Sequence, residues 1–539
     1  MKPPCDEAEI RSAPADSPCL EQSAPWILAA TILGSSMAFI DSTVVNVALP
    51  ALQTAFRATL VDVQWVVEAY ALLLGALILV GGSVGDLYGR RRIFLLGVFI
   101  FAVASAWCGL ARSVEELIYA RSLQGFGAAL LVPGSLAIIS ASFDEKKRGK
   151  AIGTWSGFTA MTMAIGPVLG GWLIEHASWR WAFFINVPIA AAVILISLRW
   201  VPESRSQQAS KLDLTGALCV TLGLGGLVYG LIESPRLGWA DVRVIASLIV
   251  GAIALLVFLF VESRRSHPML PLELFHSRTF TGANLLTLFL YAAFAIFFFL
   301  FPLNLIQVQR YTATAAGAAA LPLILLIFFL SRWSGGLVDR YGPRSPLIVG
   351  PIIVALGFVL FAMTSISTSY WRTFLLPFLV LGFGMSVSVA PLTTVVMNAV
   401  DRDHAGIASG INNAVSRVSG LLSIAVLGVL AVHSFGTRLD RELARIQVAP
   451  QLRSNITSQR INLAATQVPP ETDPEQAAEI QRAIKSSFLF AFRRILFLCA
   501  ALALLSALQT ILWIRSTTGA ARAQPDLRAR STPLETRVR

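Results

Sequence analysis

Four ionisable side chains stand inside long apolar runs of this 539-residue chain: Asp41, Glu68, Arg121 and Arg417. A charge near the centre of a bilayer costs from ~3 to well over 10 kcal/mol, so each needs a partner or a water-filled cavity. A carboxyl withdrawn from water favours its neutral form. One poised near neutral pH can load and release a proton, the chemistry that proton coupling needs. An arginine beside it favours the charged form instead, so exchanging that partner is a way to move the proton.

Depth can be counted at 1.5 Å per residue. Asp41 lies roughly 13 Å from the helix end marked by Pro50, Glu68 roughly 6 Å beyond Gln64, and Arg121 roughly 9 Å beyond Glu115. All three fall in the outer half of the first bundle, and we expect one carboxylate–arginine cluster. Gln124 shares a face with Arg121, with Gly125 and Ala128 leaving room for a neighbouring helix. Alternatives stand beside these readings. Asp41 could bond to Ser42, Asn46 or another helix, Glu68 could snorkel to the outer interface, and Arg121 could be a structural ion pair. Arg417 lies roughly 16 Å into its run, counted from Gly406, with no sequence-adjacent acid.

Further groups sit at helix ends. Gly82, Asp86, Gly89, Arg90 and Arg91 close the second run; Asp339, Arg340, Gly342 and Arg344 close the tenth. A carboxylate beside cations and helix termini can latch two helices in one state and release them in another. The arginines also set topology. Gly166, Pro167, Gly170 and Gly171 combine a helix-bending ring with absent side chains, against which another helix can pack. Phe289, Phe294, Phe297, Phe298, Phe299 and Phe301 crowd the ninth run, and aromatic faces attract organic cations.

The elements that must position these groups are membrane helices. The chain is 55% hydrophobic and 14% charged, against about 25% charged in soluble domains, and its mean hydropathy is +0.68. A span needs about 20 apolar residues, and about fourteen such runs can be marked, from Trp26–Pro50 to Phe488–Ile514. The net charge of +12 lies in short gaps between runs, as in Arg90–Arg92, Lys146, Lys147, Arg148 and Lys150, Lys211, and Arg402. That is a topology signal and not a nucleic-acid face; it puts those loops and both termini in the cytoplasm. Residues 1–24 read as a disordered tail, 515–539 as a basic cytoplasmic tail, and 434–487 as a long outer loop. Within that loop Asp473-Pro474-Glu475 predicts the start of a short polar helix leading into the last span.

The matching Gly, Asp, Gly and Arg offsets of the two loop motifs reveal a repeat. They fit an all-α membrane fold of two six-helix bundles, 25–201 and 279–514, with an inserted helix pair over 213–262. No Walker loop is present and no His or Cys set has metal spacing, so neither an ATP-driven, a metal-dependent nor an enzymatic reading survives.

Taken in order, several segments resemble the major facilitator superfamily, and within it the fourteen-helix drug:proton antiporters of the EmrB/QacA type. They are Asp41–Pro50, the two loop motifs, Arg121–Ala129, Gly166–Gly171 and Trp179–Pro188. Leu87 departs from that pattern where an arginine is common, as do Phe158 and Thr162 where glycines are. The resemblance implies proton transfer at Arg121, coupling or substrate contact at Asp41, a seal against leak at Gly166–Gly171, and gating at the loop motifs. The expectation is an inner-membrane exporter of lipophilic, cationic or neutral drugs, driven by the proton gradient with no cofactor. Whether a periplasmic adaptor protein docks on the long outer loop is left open by the sequence. A dedicated exporter of one metabolite or lipid uses the same fold, and a membrane-embedded sensor or channel-like protein is the alternative of another class.

Overall fold

The computed structural model describes residues 18–514, apart from 144, 206–211, 266–267, 365–368, 401–404 and 447. Lys211, Arg402 and the tails 1–17 and 515–539 lie outside the described residues, as do the side chains of Lys146 and Asp339. Among the described residues, fourteen helices are long and apolar enough to cross a membrane.

The first bundle holds α1 (Pro18–Phe56), α2 (Leu60–Tyr88), α3 (Arg90–Leu110), α4 (Val114–Ser142), α5 (Glu145–His176) and α6 (Trp181–Trp200). The inserted pair is α7 (Leu214–Leu237) and α8 (Val242–Arg264). The second bundle holds α9 (Arg278–Val308), α10 (Ala313–Ser331), α11 (Arg344–Ala362), α12 (Leu375–Asn398), α13 (Ala405–Arg445) and α14 (Pro474–Trp513). This is the six, two, six order read from the repeat.

Helix starts follow local chemistry. Thr59 and Asp62 cap α2 reciprocally, each taking the other's backbone N–H. Ser113, Asp213, Ser277 and Thr312 each accept a first-turn N–H of α4, α7, α9 and α10. The first helix begins at Pro18, inside the stretch expected to be a disordered tail. Buried Ser23 shows that this turn already packs against the fold.

The long loop also differs from expectation. Asp473 caps α14 through the N–H groups of Glu475 and Gln476, with Pro474 in the first turn, as its sequence predicts. No separate polar helix follows, because α14 runs unbroken for 40 residues, about 60 Å against a ~30 Å hydrocarbon core. Its partner α13 is 41 residues long. The two helices project together beyond the bundle and carry their own core of Phe435, Leu439, Leu443, Ile480 and Ile484, closed by Ile456 and Leu463 from the connection.

Two seams join the bundles. One lies between α2 and α13, where Gln64 donates to the Ile424 carbonyl at 2.7 Å. Helix α7 covers this seam: Leu224, Val228 and Ile232 pack with Val61 and Ala76 of α2 and with Leu421 and Ala425 of α13. The other lies between α5 and α10, at the end carrying the long loop. There Glu175 accepts the Thr314 N–H at 3.1 Å, and nearby Gln307 donates to Gln53 at 2.8 Å. Toward the opposite end, which carries the basic loops, Gly85, Gly153, Gly157 and Gly335 have open space where a Cβ would stand. The bundles therefore meet through α5 and α10 at the long-loop end, while the α2–α13 seam stays in contact as far as Gly410 against Leu79.

Candidate functional site

Asp41, Arg121 and Gln124 meet inside the first bundle, all fully buried. Gly125 is what lets them meet: a Cβ there would overlap the Tyr70 carbonyl, so α4 lies directly against α2. One turn earlier on α4, Arg121 crosses that contact. Its Nε donates to the Val66 carbonyl at 3.0 Å, its guanidinium carbon sits 4.3 Å from the Tyr70 ring centroid, and its Nη1 reaches Asp41 Oδ2 at 2.5 Å.

The same Nη1 donates to Gln124 Oε1 at 2.7 Å, and Gln124 Nε2 donates to Asp41 Oδ1 at 2.8 Å. Asn186 of α6 donates to that oxygen at 3.4 Å. Ser105 of α3 accepts from Gln124 at 3.1 Å and from Asn186 at 2.9 Å, and donates to the Phe183 carbonyl at 2.9 Å. Five helices thus share one polar network around a charge pair, in which Asn186 Oδ1 alone is buried without a partner. Ser42 and Asn46 bond instead to carbonyls of their own helix, so the local partners considered for Asp41 are engaged elsewhere, and its partners come from other helices.

Ser105 and Asn186 are sequence-missed members. Asn186 lies in the Trp179–Pro188 segment, but only the fold shows that its amide turns inward. Ser105 had no signal in its apolar run.

Glu68 does not join this cluster. It is fully buried, which excludes snorkelling, and neither carboxylate oxygen has a hydrogen-bond partner. It shares a face of α2 with Gln64 and Gly75, both of which meet α13: a Cβ on Gly75 would stand 3.4 Å from Arg417 Cβ. The rotational phase of α2, invisible to depth counting, turns Glu68 toward the seam and away from Arg121.

Gly166 and Gly170 press against α1, where a Cβ would overlap Thr43 Oγ1 and Val44 Cγ1. Gly171 presses against the Ala313 carbonyl of α10, and Gly317 returns the contact against the Pro167 carbonyl. The motif therefore lies on the closed seam, with a partner glycine that sequence reading passed over.

The two loop motifs are not equivalent. Arg90 pairs with Asp86 at 2.7 Å, but Arg91 and Arg92 turn to Glu203, whose carboxylate accepts their backbone N–H groups at 3.1 and 3.2 Å and so caps α3. Gly89 (φ +114°) makes the turn, and a Cβ there would fall 2.7 Å from Glu203 Oε1. In the second motif Gly342 turns at φ +74°, Arg340 lies over the Tyr341 ring, and Arg344 donates to the Ile511 carbonyl of α14 at 2.8 Å. The ninth-helix aromatics mostly pack among themselves: Phe297 and Phe301 are buried against Phe361, Phe374 and Phe378.

Residues 31–424 match the Major Facilitator Superfamily. The chain belongs to that superfamily. It is by family a multi-pass membrane transporter and not an enzyme. It is 36% identical over 431 residues to the multidrug resistance protein Stp of Mycobacterium tuberculosis (strain CDC 1551 / Oshkosh), covering 79% of each chain. It is 34% identical to the tetracenomycin C resistance and export protein of Streptomyces glaucescens, covering 76% of this chain and 77% of the relative. Among solved structures, a bacterial homologue of the human lysosomal transporter Spinster aligns with a TM-score of 0.62 over 93% of this chain and 100% of the other. At 18% identity that likeness shows the fold.

Proposed function

We propose that this transporter exports lipophilic compounds in exchange for protons, by alternating access. The observation that carries the reading is the closed Asp41–Arg121–Gln124 network beside a buried, unpartnered Glu68. In the first, an arginine and an amide both bond to one carboxylate. The second has no donor to offset a negative charge and is the carboxyl that carries the proton in this state. Rocking of the bundles brings a new partner to one and withdraws a partner from the other, so a proton loaded from outside is released inside. The names of the relatives, which are resistance and export proteins, support efflux of toxic compounds as the task.

The basic loops belong on the cytoplasmic side of the inner membrane, with both termini. No cofactor is needed: at ~100 mV one net charge supplies about 2.3 kcal/mol, roughly a 50-fold gradient at ~1.36 kcal/mol per decade.

The test is proton movement in proteoliposomes holding a pH gradient. Adding a lipophilic compound should dissipate the gradient with wild type and leave it standing with Asp41→Asn. Glu68→Gln should slow the exchange at least tenfold. Silence of the wild type across a broad panel would overturn the reading, in favour of a dedicated substrate or a role without transport.

A further inference from the structure

Arg417 is a cation without a counter-ion at mid-depth between the bundles. It lies on α13, half-buried, and no carboxylate or hydrogen-bond acceptor among the described residues is within bonding distance. Its surroundings come from the other half. The Phe39 ring of α1 lies 5.8 Å from the guanidinium carbon, and Gly75 of α2 backs its Cβ. Contacts across the seam mean that it faces the interior, and its partial exposure means that it faces open space there.

The buried acids of the first bundle do not supply the missing charge. Asp41 is committed to Arg121, Gln124 and Asn186. Glu68 lies about two turns from Gly75 toward the long-loop end and makes no ion pair. A guanidinium held in that position is a fork of donors aimed at an incoming acceptor. A charge-assisted bond to it is roughly twice as strong as a neutral one.

We propose that Arg417 is a substrate-binding residue that recognises an acidic group, a carboxylate or the ionised phenol of an aromatic compound, with Phe39 flanking the ring system. This rests on the export reading and replaces a cationic cargo with an acidic or acceptor-rich aromatic one. A lipophilic cation would meet the Arg417 charge at the point where the halves come together. Of the phenylalanines that could have attracted it, Phe297 and Phe301 are instead packed into the core of the second bundle.

Binding without any gradient tests the site apart from proton coupling, so failure here and failure of antiport are distinguishable. The purified full chain in nanodiscs is titrated with three fluorescent probes of one ring system: anthracene-9-carboxylate, its methyl ester, and an anthracenylmethyl-trimethylammonium. Wild type should prefer the carboxylate to the ester by about tenfold and bind the ammonium weakest. Arg417→Gln should abolish that preference while leaving ester binding within about twofold, and Arg417→Lys should keep part of it. Equal binding of carboxylate and ester by wild type, or an unchanged preference in Arg417→Gln, would overturn the proposal. Should Arg417→Gln lose ester binding too, Arg417→Lys decides: a retained carboxylate preference supports recognition, and behaviour like Arg417→Gln sinks it.

Discussion

Arg121 makes one charged bond, one to an amide and one to a carbonyl, while its flat face covers Tyr70. Such a pair gains its stability from complete satisfaction and not from charge alone, because each ion gave up its water. Removing one partner leaves the other buried and bare, at a cost of about 3–5 kcal/mol. Arg121→Gln should therefore lower the thermal unfolding midpoint sharply. Asp41→Asn with Arg121→Gln should cost well under the sum of the two single changes. Strict additivity in that cycle, measured in one detergent, would mean that the pair does not act as a unit. Residue-scale chemistry was legible where a carboxylate and an arginine share a depth. It was not legible for Glu68, since a 100° step per residue decides which wall of the helix a side chain faces, and depth counting is blind to it. Glu203 was missed for another reason: a capping role shows only once the chain returns to the start of α3.

Helices α5 and α10 touch through backbone at the long-loop end, with Gly171 against Ala313 and Gly317 against Pro167. Two glycines facing opposite ways make this a reciprocal contact, and neither carbonyl can step aside as a flexible side chain would. The Gly166–Gly171 cluster stood out because four helix-disfavouring residues lie together. Gly317 sits alone in an alanine-rich stretch and announces nothing. The spans themselves were legible because hydrocarbon demands long apolar runs, whereas the continuations of α13 and α14 carry Arg438, Asp440, Arg441 and Glu442, and Glu475, Glu479 and Arg482, and give no such signal. A methyl group at Gly317 must push the ends of α5 and α10 apart, at about 1–3 kcal/mol for overpacking. It should therefore shift the population toward the state open at the long-loop end by roughly tenfold. Spin labels on Ala177 and Arg441, read by pulsed dipolar spectroscopy, should show a longer distance growing in for Gly317→Ala. Gly382→Ala, whose overlap with Leu323 lies within one bundle, should destabilise the fold without that shift. Identical distance distributions for the two variants would remove the seal from the mechanism.

The whole molecule is two bundles with a third body, α7 and α8, attached to one seam. That body is fastened unequally. To α2 it is held by polar bonds: Trp65 donates to Glu233 at 2.8 Å, and Arg236 pairs with Asp62 at 3.7 Å. The cluster it forms with α13 is purely apolar, of Leu224, Val228, Ile232, Leu421 and Ala425. Directional bonds break when surfaces slide, while apolar side chains can exchange neighbours at small cost, so the pair should travel with the first bundle and slide over the second. This gives opposite expectations for two cross-links, made with a short thiol reagent in a chain freed of its native cysteines. Leu72→Cys joined to Gly225→Cys ties α7 to α2, where Leu72 already lies 3.6 Å from the Gly225 Cβ position, and transport should survive. Val228→Cys joined to Leu421→Cys ties α7 to α13, and transport should stop until the link is cut. If both links block transport, the inserted pair is a hinge that bends during the cycle. If neither does, it rides on the surface and the six-helix bundles act alone. The expected asymmetry would identify α7 and α8 as an outer panel of the first bundle that covers the α2–α13 seam throughout the cycle.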